Sequence, residues 1–345
     1  MTGLKKFRQL IIGLAVACGA LYYTLRGVPL GDLWGSFAGV RYVYLLPATA
    51  LIVLSYWVHA CRWRLLLLPL KKVPVAGLYA PMMVGNMGNL LPARAGELLR
   101  AYLFGKKYNV PFSGALATIL VLRLFDLVLL LLLVAFTFIA YAGAFDSPVG
   151  DSGLTFGDLA LQFGRATALL LGAILIFAYF LLRHGAATRA WIGRVTKPLP
   201  VRWREKIGFL IEEFLSGFRA LKTFTLFSQV GGLSLLELAV NVFSFYPLYW
   251  AYELENKSLE SLLVLAVVLS LILIVLPAPA FLGSFQAGVM IALNQLFGED
   301  KVTAASFGMV AWGLNFLVVV LVGLYFIFHE HLSLRQVVKT DAFDP

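Results

Sequence analysis

The sequence predicts an all-α polytopic membrane protein, with six full spans and two broken re-entrant helical hairpins in inverted-topology halves. Three observations carry this. First, 61% of the 345 residues are hydrophobic and 13% are charged, whereas soluble globular domains carry about 25% charged residues. Second, apolar runs close to the roughly 20 residues needed to cross about 30 Å of hydrocarbon recur along the chain, with short polar loops between them. Third, two more apolar regions are interrupted near their middles by proline and glycine.

The first run, 10–25, follows "MTGLKKFRQ", a basic start that a signal peptide also has. No A-x-A-like cleavage site follows, and many spans come after it, so a retained first helix is expected. The second run is 43–60, and the first broken region, 73–105, is interrupted by "LPARAG". Runs at 112–142 and 160–182 follow. The basic segment 183–227 spaces Phe209, Leu210, Phe214, Leu215 and Phe218 near a helical period, which predicts an amphipathic connector at the cytoplasmic interface. Then come 228–250, a second broken region at 258–298 interrupted by "LPAPAFLG", and 303–328. Residues 1–345 thus read as one integral membrane domain. Its halves, 10–142 and 160–328, repeat the order of elements and are separated by an odd number of crossings. Inverted halves with interrupted helices at matching positions are the pattern of secondary transporters, whose sites lie near the bilayer midplane between the breaks.

Basic residues set the orientation. Lys5, Lys6 and Arg8 precede the first run; Arg62, Arg64, Lys71 and Lys72 follow the second; Lys106 and Lys107 follow the first break. All fall on one side in the trace, while the opposite loops carry Asp146, Asp151, Asp158, Glu253, Glu255, Glu260, Glu299 and Asp300. Both termini are therefore expected in the cytoplasm, with the protein in the cell inner membrane. The net charge of +10 is accounted for by these loops, with no nucleic-acid partner expected. Cys18 and Cys61 are too few and too isolated for a disulfide framework or a metal cluster.

The first break concentrates polar chemistry. An interrupted helix exposes backbone groups that cost several kcal/mol each if left unsatisfied in lipid, so the break must face protein or a wet cavity. Pro92 and Gly96 suit the turn. Asn86 and Asn89 offer amides to the freed backbone, and Glu97 opens the next helix where its charge favours the dipole. Arg94 and Arg100 are left as donors for the cavity. In the next span Arg123 and Asp126 are three apart and share a helix face. They either neutralise each other as a structural pair or present Arg123 to a phosphate. Glu237 and Asn241 are spaced by four and extend a polar seam, to which Gln286 is added from the second break. Pro277, Pro279 and Gly283 form that second break. His59, His184, His329 and His331 belong to no zinc-protease pattern, and no nucleophile elbow, P-loop or dinucleotide fingerprint occurs. No catalytic residue, metal or cofactor is therefore expected.

"GNMGNLLPARAGELLRAYLFG", followed by "RLFD" in the next span, resembles the transmembrane domain of lysylphosphatidylglycerol synthases and their stand-alone flippase-like relatives. The resemblance covers nearly the whole chain. It implies movement of lipids between leaflets, with Asn86, Asn89, Pro92, Arg94, Gly96, Glu97 and Arg100 as a functional group joined by Arg123 and Asp126. The second family motif, P-G-G-x-G-x-x-E, is matched here by "PAPAFLGSFQ", with Ala and Phe at glycine positions and Gln286 at the glutamate position. A carboxylate role therefore does not carry over there. The bifunctional relatives also bear a soluble aminoacyl-transfer domain, and the short tail after the last span sets no expectation of lysyl-lipid synthesis.

The function expected is translocation of an anionic lipid or lipid-linked intermediate, with Arg94, Arg100 and Arg123 holding its phosphate through paired hydrogen bonds. Two alternatives stand beside it: a membrane-embedded lipid-modifying transferase using Glu97 or Asp126 as base, and a non-transporting scaffold for lipid or glycan synthesis. Membrane lipids are the expected partners; the particular lipid, the energy source and the oligomeric state stay open.

Overall fold

The computed structural model describes residues 15–90, 96–145, 224–276 and 278–330, with scattered positions between 155 and 208. Its described elements are helices: α1 (Ala15–Leu25), α2 (Leu30–Ala38), α3 (Leu45–Leu67), α4 (Val75–Asn89), α5 (Gly96–Tyr108) and α6 (Phe112–Ala140) in the first half. The second half holds α7 (Phe224–Phe243), α8 (Tyr246–Ala251), α9 (Leu259–Val275), α10 (Ser284–Val289, continued as a π-helical stretch over Met290–Leu296) and α11 (Lys301–His329). Proline sets several starts: Pro29, Pro74 and Pro111 each stand just before a helix, where the missing N–H costs nothing. Elsewhere side chains cap. Ser258 Oγ accepts the Ser261 N–H at 3.1 Å to open α9, and Asp300 Oδ2 accepts the Thr303 N–H at 2.9 Å to open α11.

Four described stretches are long and apolar enough to cross a membrane: Tyr42–Leu67, Phe112–Ala140, Phe224–Ala251 and Lys301–His329. The sequence predicts six. Of the other two, the first appears as α1, described from Ala15 on, and most of 160–182 and of the connector 183–227 lies outside the described residues. Outward stripes mark the lipid face, with Leu132, Phe136 and Ile139 on α6 and Leu317, Leu321 and Tyr325 on α11 all exposed.

One boundary corrects the sequence reading. The second run does not end at 60, because α3 continues to Leu67 and carries Arg62 and Arg64 within it. Arg62 is tolerated there because carboxylates from two other helices reach it.

Both broken regions fold as paired helices. In the first, α4 and α5 lie against each other with glycine at the contact: a Cβ on Gly85 would sit 2.7 Å from Arg100 Cβ, and one on Gly96 would sit 2.0 Å from the Gly85 carbonyl oxygen. In the second, α9 packs on α10 across a tight turn, where Ala280 (φ 51°), Phe281 (φ 59°) and Gly283 (φ 82°) are left-handed.

Several of the helix contacts in one half recur in the other. Helix α3 lies along α7; α11 packs on α4 as α6 packs on α9; α10 meets α11 as α5 meets α6; and α3 meets α4 as α7 meets α9. The last helix of each half is thus seated on the hairpin of the other, which draws both breaks toward one centre.

Candidate functional site

A chamber of about 750 Å³ occupies that centre and is lined from both halves. Its two sides differ. Toward one lie Arg62, Arg100, Arg123, Glu97, Asp126 and Glu237 with His59 between them. Beyond Asp126 on α6 and Glu237 on α7 the lining turns largely apolar, with Leu129, Leu130 and Leu133, and Leu238, Val242 and Phe245 around Asn241. Phe281, Phe285 and Trp312 line the wall contributed by the second hairpin and α11.

The polar side is one connected network. Arg62, only 1% exposed, donates from Nη1 to Asp126 Oδ1 at 2.6 Å and to Ser234 Oγ at 3.0 Å, and its Nε lies 3.2 Å from Glu237 Oε2. The other oxygen of Asp126 lies 3.4 Å from Arg123 Nη1, so this carboxylate bridges two arginines. Arg123 also donates from Nε to Glu97 Oε1 at 2.6 Å, with its Nη2 on the same oxygen. Glu237 Oε1 is 2.8 Å from His59 Nδ1, and His59 Nε2 is 2.7 Å from Arg100 Nη1. Three arginines and three carboxylates therefore cancel in formal charge.

Arg100 stands apart within this network. It is 5% exposed, its guanidinium lies 3.8 Å above the Trp63 ring, and its one described hydrogen bond goes to His59 Nε2 rather than to a carboxylate. Its Nε and Nη2 are buried with no partner among the described residues. A guanidinium presents five donors in a fixed fork that matches carboxylate or phosphate oxygens. Leaving buried donors unmet costs about 1–3 kcal/mol each, more on a charged group, so an anion arriving there would recover that cost.

The expected site residues sort clearly. Asn86, Asn89, Gly96, Glu97, Arg100, Arg123, Asp126, Glu237 and Asn241 all line the chamber. Asn89 does what a broken helix requires, its Oδ1 accepting the Gly96 N–H at 3.0 Å. Pro92, Arg94 and Pro277 lie outside the described residues. Pro279 opens the turn of the second break. Gln286 is a correction: it does not join the polar seam. It is 1% exposed and turned away from the chamber lining, with Oε1 accepting the Gly283 N–H at 2.7 Å, because the start of α10 has its own freed donor to satisfy.

Two participants escape the sequence reading, Arg62 and His59. Hydropathy puts both at or beyond the end of the second run, since hydrophobicity falls there. The signal is present in spacing: Ser55, His59 and Arg62 recur at four and three residues, one polar face on a membrane helix, and all three line the chamber.

The fold and chamber define a polytopic helical membrane protein with an amphiphilic central cavity, charged on one side and apolar on the other. The family described as the lysylphosphatidylglycerol synthase TM region matches residues 10–323, and the chain belongs to it. It is also similar to the glycosyltransferase AglD of Haloferax volcanii, with 29% identity over 216 residues, covering 57% of this chain and 34% of that protein. The chain thus spans about a third of the length of that curated relative. No solved structure matches it.

Proposed function

We propose that this protein moves an anionic, phosphate-bearing lipid or lipid-linked intermediate between the leaflets of the cell inner membrane, with both termini cytoplasmic and its halves related by an inverted pseudo-twofold. The observation that carries the reading is Arg100: a buried guanidinium with two donors unmet among the described residues, in a chamber whose lining turns largely apolar beyond the charged cluster. An isolated charge at the bilayer centre costs from about 2.5 kcal/mol upward, which keeps lipid headgroups in their own leaflet. A fork of donors offsets that cost for the phosphate while the hydrocarbon stays against Leu129, Leu133, Phe281 and Phe285. The recurring contacts support the inverted relation, since each hairpin is flanked by the other half's final helix.

The test is redistribution of a fluorescent phospholipid between leaflets of liposomes holding the purified protein. Arg100→Lys keeps the charge but loses the fork and the stack on Trp63, and transport is expected to fall roughly tenfold or more, tenfold being about 1.4 kcal/mol. Full activity in Arg100→Ala would remove Arg100 from the site. The name of the relative favours a second reading, a membrane module in glycan-linked lipid chemistry, and the appearance of a new lipid product in the same assay would favour it.

A further inference from the structure

His59 sits between two partners that dictate which of its nitrogens carries a proton. Arg100 Nη1 can only donate, so the Nε2 that it meets at 2.7 Å must hold a lone pair. The ring proton is then on Nδ1, which donates to Glu237 Oε1 at 2.8 Å. The imidazole is neutral in this arrangement. A second proton has one place to go, Nε2, where it would face the Arg100 donor at hydrogen-bond distance and break that bond. Arg62 Nη2 lies 3.3 Å from the same Nδ1, but the shorter 2.8 Å contact with Glu237 assigns the Nδ1 proton to that carboxylate, and Arg62 then adds a further cation against a charged ring. His59 therefore holds either Arg100 or a second proton.

We propose that His59 Nε2 is a proton-binding site coupled to the phosphate site, so that a phosphate-bearing headgroup and one proton bind together and travel together. This rests on the anion-binding reading above. A phosphate engaging the unmet Nε and Nη2 of Arg100 draws the guanidinium toward itself and leaves the Nε2 lone pair facing the chamber. A hydronium proton entering from bulk solvent then bonds to Nε2, leaving neutral water behind, and the new N–H donates to a phosphate oxygen. The charges around the ring agree. Arg62 faces it from α3, Arg100 and Glu97 from α5, Arg123 and Asp126 from α6, and Glu237 from α7, while α4 and α11 contribute the uncharged Asn86, Asn89 and Asn315 to the chamber. Among the described residues three arginines and three carboxylates cancel, so an added proton leaves one more positive charge and a phosphodiester removes it. Because coupling is reciprocal, the lipid strengthens proton binding by the factor by which the proton strengthens lipid binding. A pH difference across the membrane would then drive the lipid.

The experiment is calorimetric titration of the detergent-solubilised protein with short-chain phosphatidylglycerol, between about pH 6 and 8, in buffers of different ionisation heat. The dependence of apparent heat on buffer counts the protons taken up. The phosphodiester keeps a single charge over this range, so any proton is held by the protein. Wild type is expected to take up close to one proton per bound lipid at the most favourable pH. His59→Gln, which retains an acceptor for Arg100 and a donor for Glu237, should bind lipid with uptake near zero. Lipid binding by wild type without proton uptake would overturn the coupling and leave the anion site standing. Undiminished uptake by His59→Gln would move the proton to a carboxylate and sink the assignment. Absence of binding by wild type would sink the anion site and this coupling with it. The wild-type count decides the coupling whether or not the variant folds.

Discussion

In the first hairpin the Gly96 N–H is taken by Asn89 Oδ1, and in the second the Gly283 N–H is taken by Gln286 Oε1. Each break thus meets a freed backbone donor with a side-chain amide at the glycine that starts its second arm. Beyond that device the two regions diverge. The first carries Arg94, Glu97 and Arg100 around its break, whereas residues 261–298 hold no charged side chain. Satisfying an interrupted helix in lipid is therefore a separate problem from supplying charge, because the second hairpin does the one without the other. The charges of the first hairpin serve something besides the break: of those within the described residues, Glu97 and Arg100 converge with Arg62, His59, Asp126 and Glu237 on one chamber.

The largest expected effect tests whether the close glycine contact is what holds the first hairpin together. In Gly96→Ala the new Cβ would lie 2.0 Å from the Gly85 carbonyl oxygen and 2.5 Å from Asn89 Oδ1, both far inside contact distance. Backbone cannot yield there without separating α4 from α5. The expected cost is at least about 3 kcal/mol, at the upper end for overpacking a tight core, read as a large fall in melting temperature in detergent. An Ala variant as stable as wild type would show that the hairpin is not closed as described.

A smaller effect tests whether charge can be moved to the second hairpin. Gln286→Glu installs the carboxylate of the family motif at a site that is 1% exposed and packed beside Gly308. It still accepts the Gly283 N–H, but it lacks the arginines that flank Glu97 and Asp126. A buried charge without such partners is unfavourable, and a loss of about 1–3 kcal/mol is expected, with transport per folded molecule unchanged because the residue does not line the chamber. A gain in transport would place that carboxylate in the site after all.

The same contrast shows what is legible in the sequence. Both breaks can be read, because proline and glycine seldom enter the middle of a long apolar run unless the helix stops there, and so can the pair Arg123 and Asp126, because three residues apart on a helix means one face. The partnership of Asn89 with a freed N–H follows from the same need. Arg62 and His59 escape, since a hydropathy trace ends a span where charge begins. Nothing local tells that Asp126 and Glu237, 64 and 175 positions further along the chain from Arg62, neutralise it. Gln286 is misread for the opposite reason: the motif names its position, but only the turn geometry tells which way its amide points.

The smallest effect concerns the backbone of the second break. The family motif has glycine at three positions that here are Ala280, Phe281 and Gly283, and all three are left-handed, at φ 51°, 59° and 82°. The turn has therefore kept a glycine-type backbone while two of its residues carry a Cβ. A left-handed L-residue costs roughly 1–2 kcal/mol, partly offset in glycine by the roughly 0.5–1 kcal/mol of extra entropy it loses on folding. Ala280→Gly should then stabilise the protein by about 0.5–1 kcal/mol, seen as a small rise in melting temperature. The Ala280 carbonyl would still accept the Trp312 Nε1 hydrogen at 2.9 Å, so the wall of the chamber would not shift and transport should be unchanged. Phe281→Gly is a poorer probe because its ring lines the chamber and its loss mixes relief of strain with a change in lining. A lower melting temperature for Ala280→Gly would mean that the turn is held by the methyl group's packing rather than strained by it, and the contrast between a charged hairpin and a strained one would lose its second term.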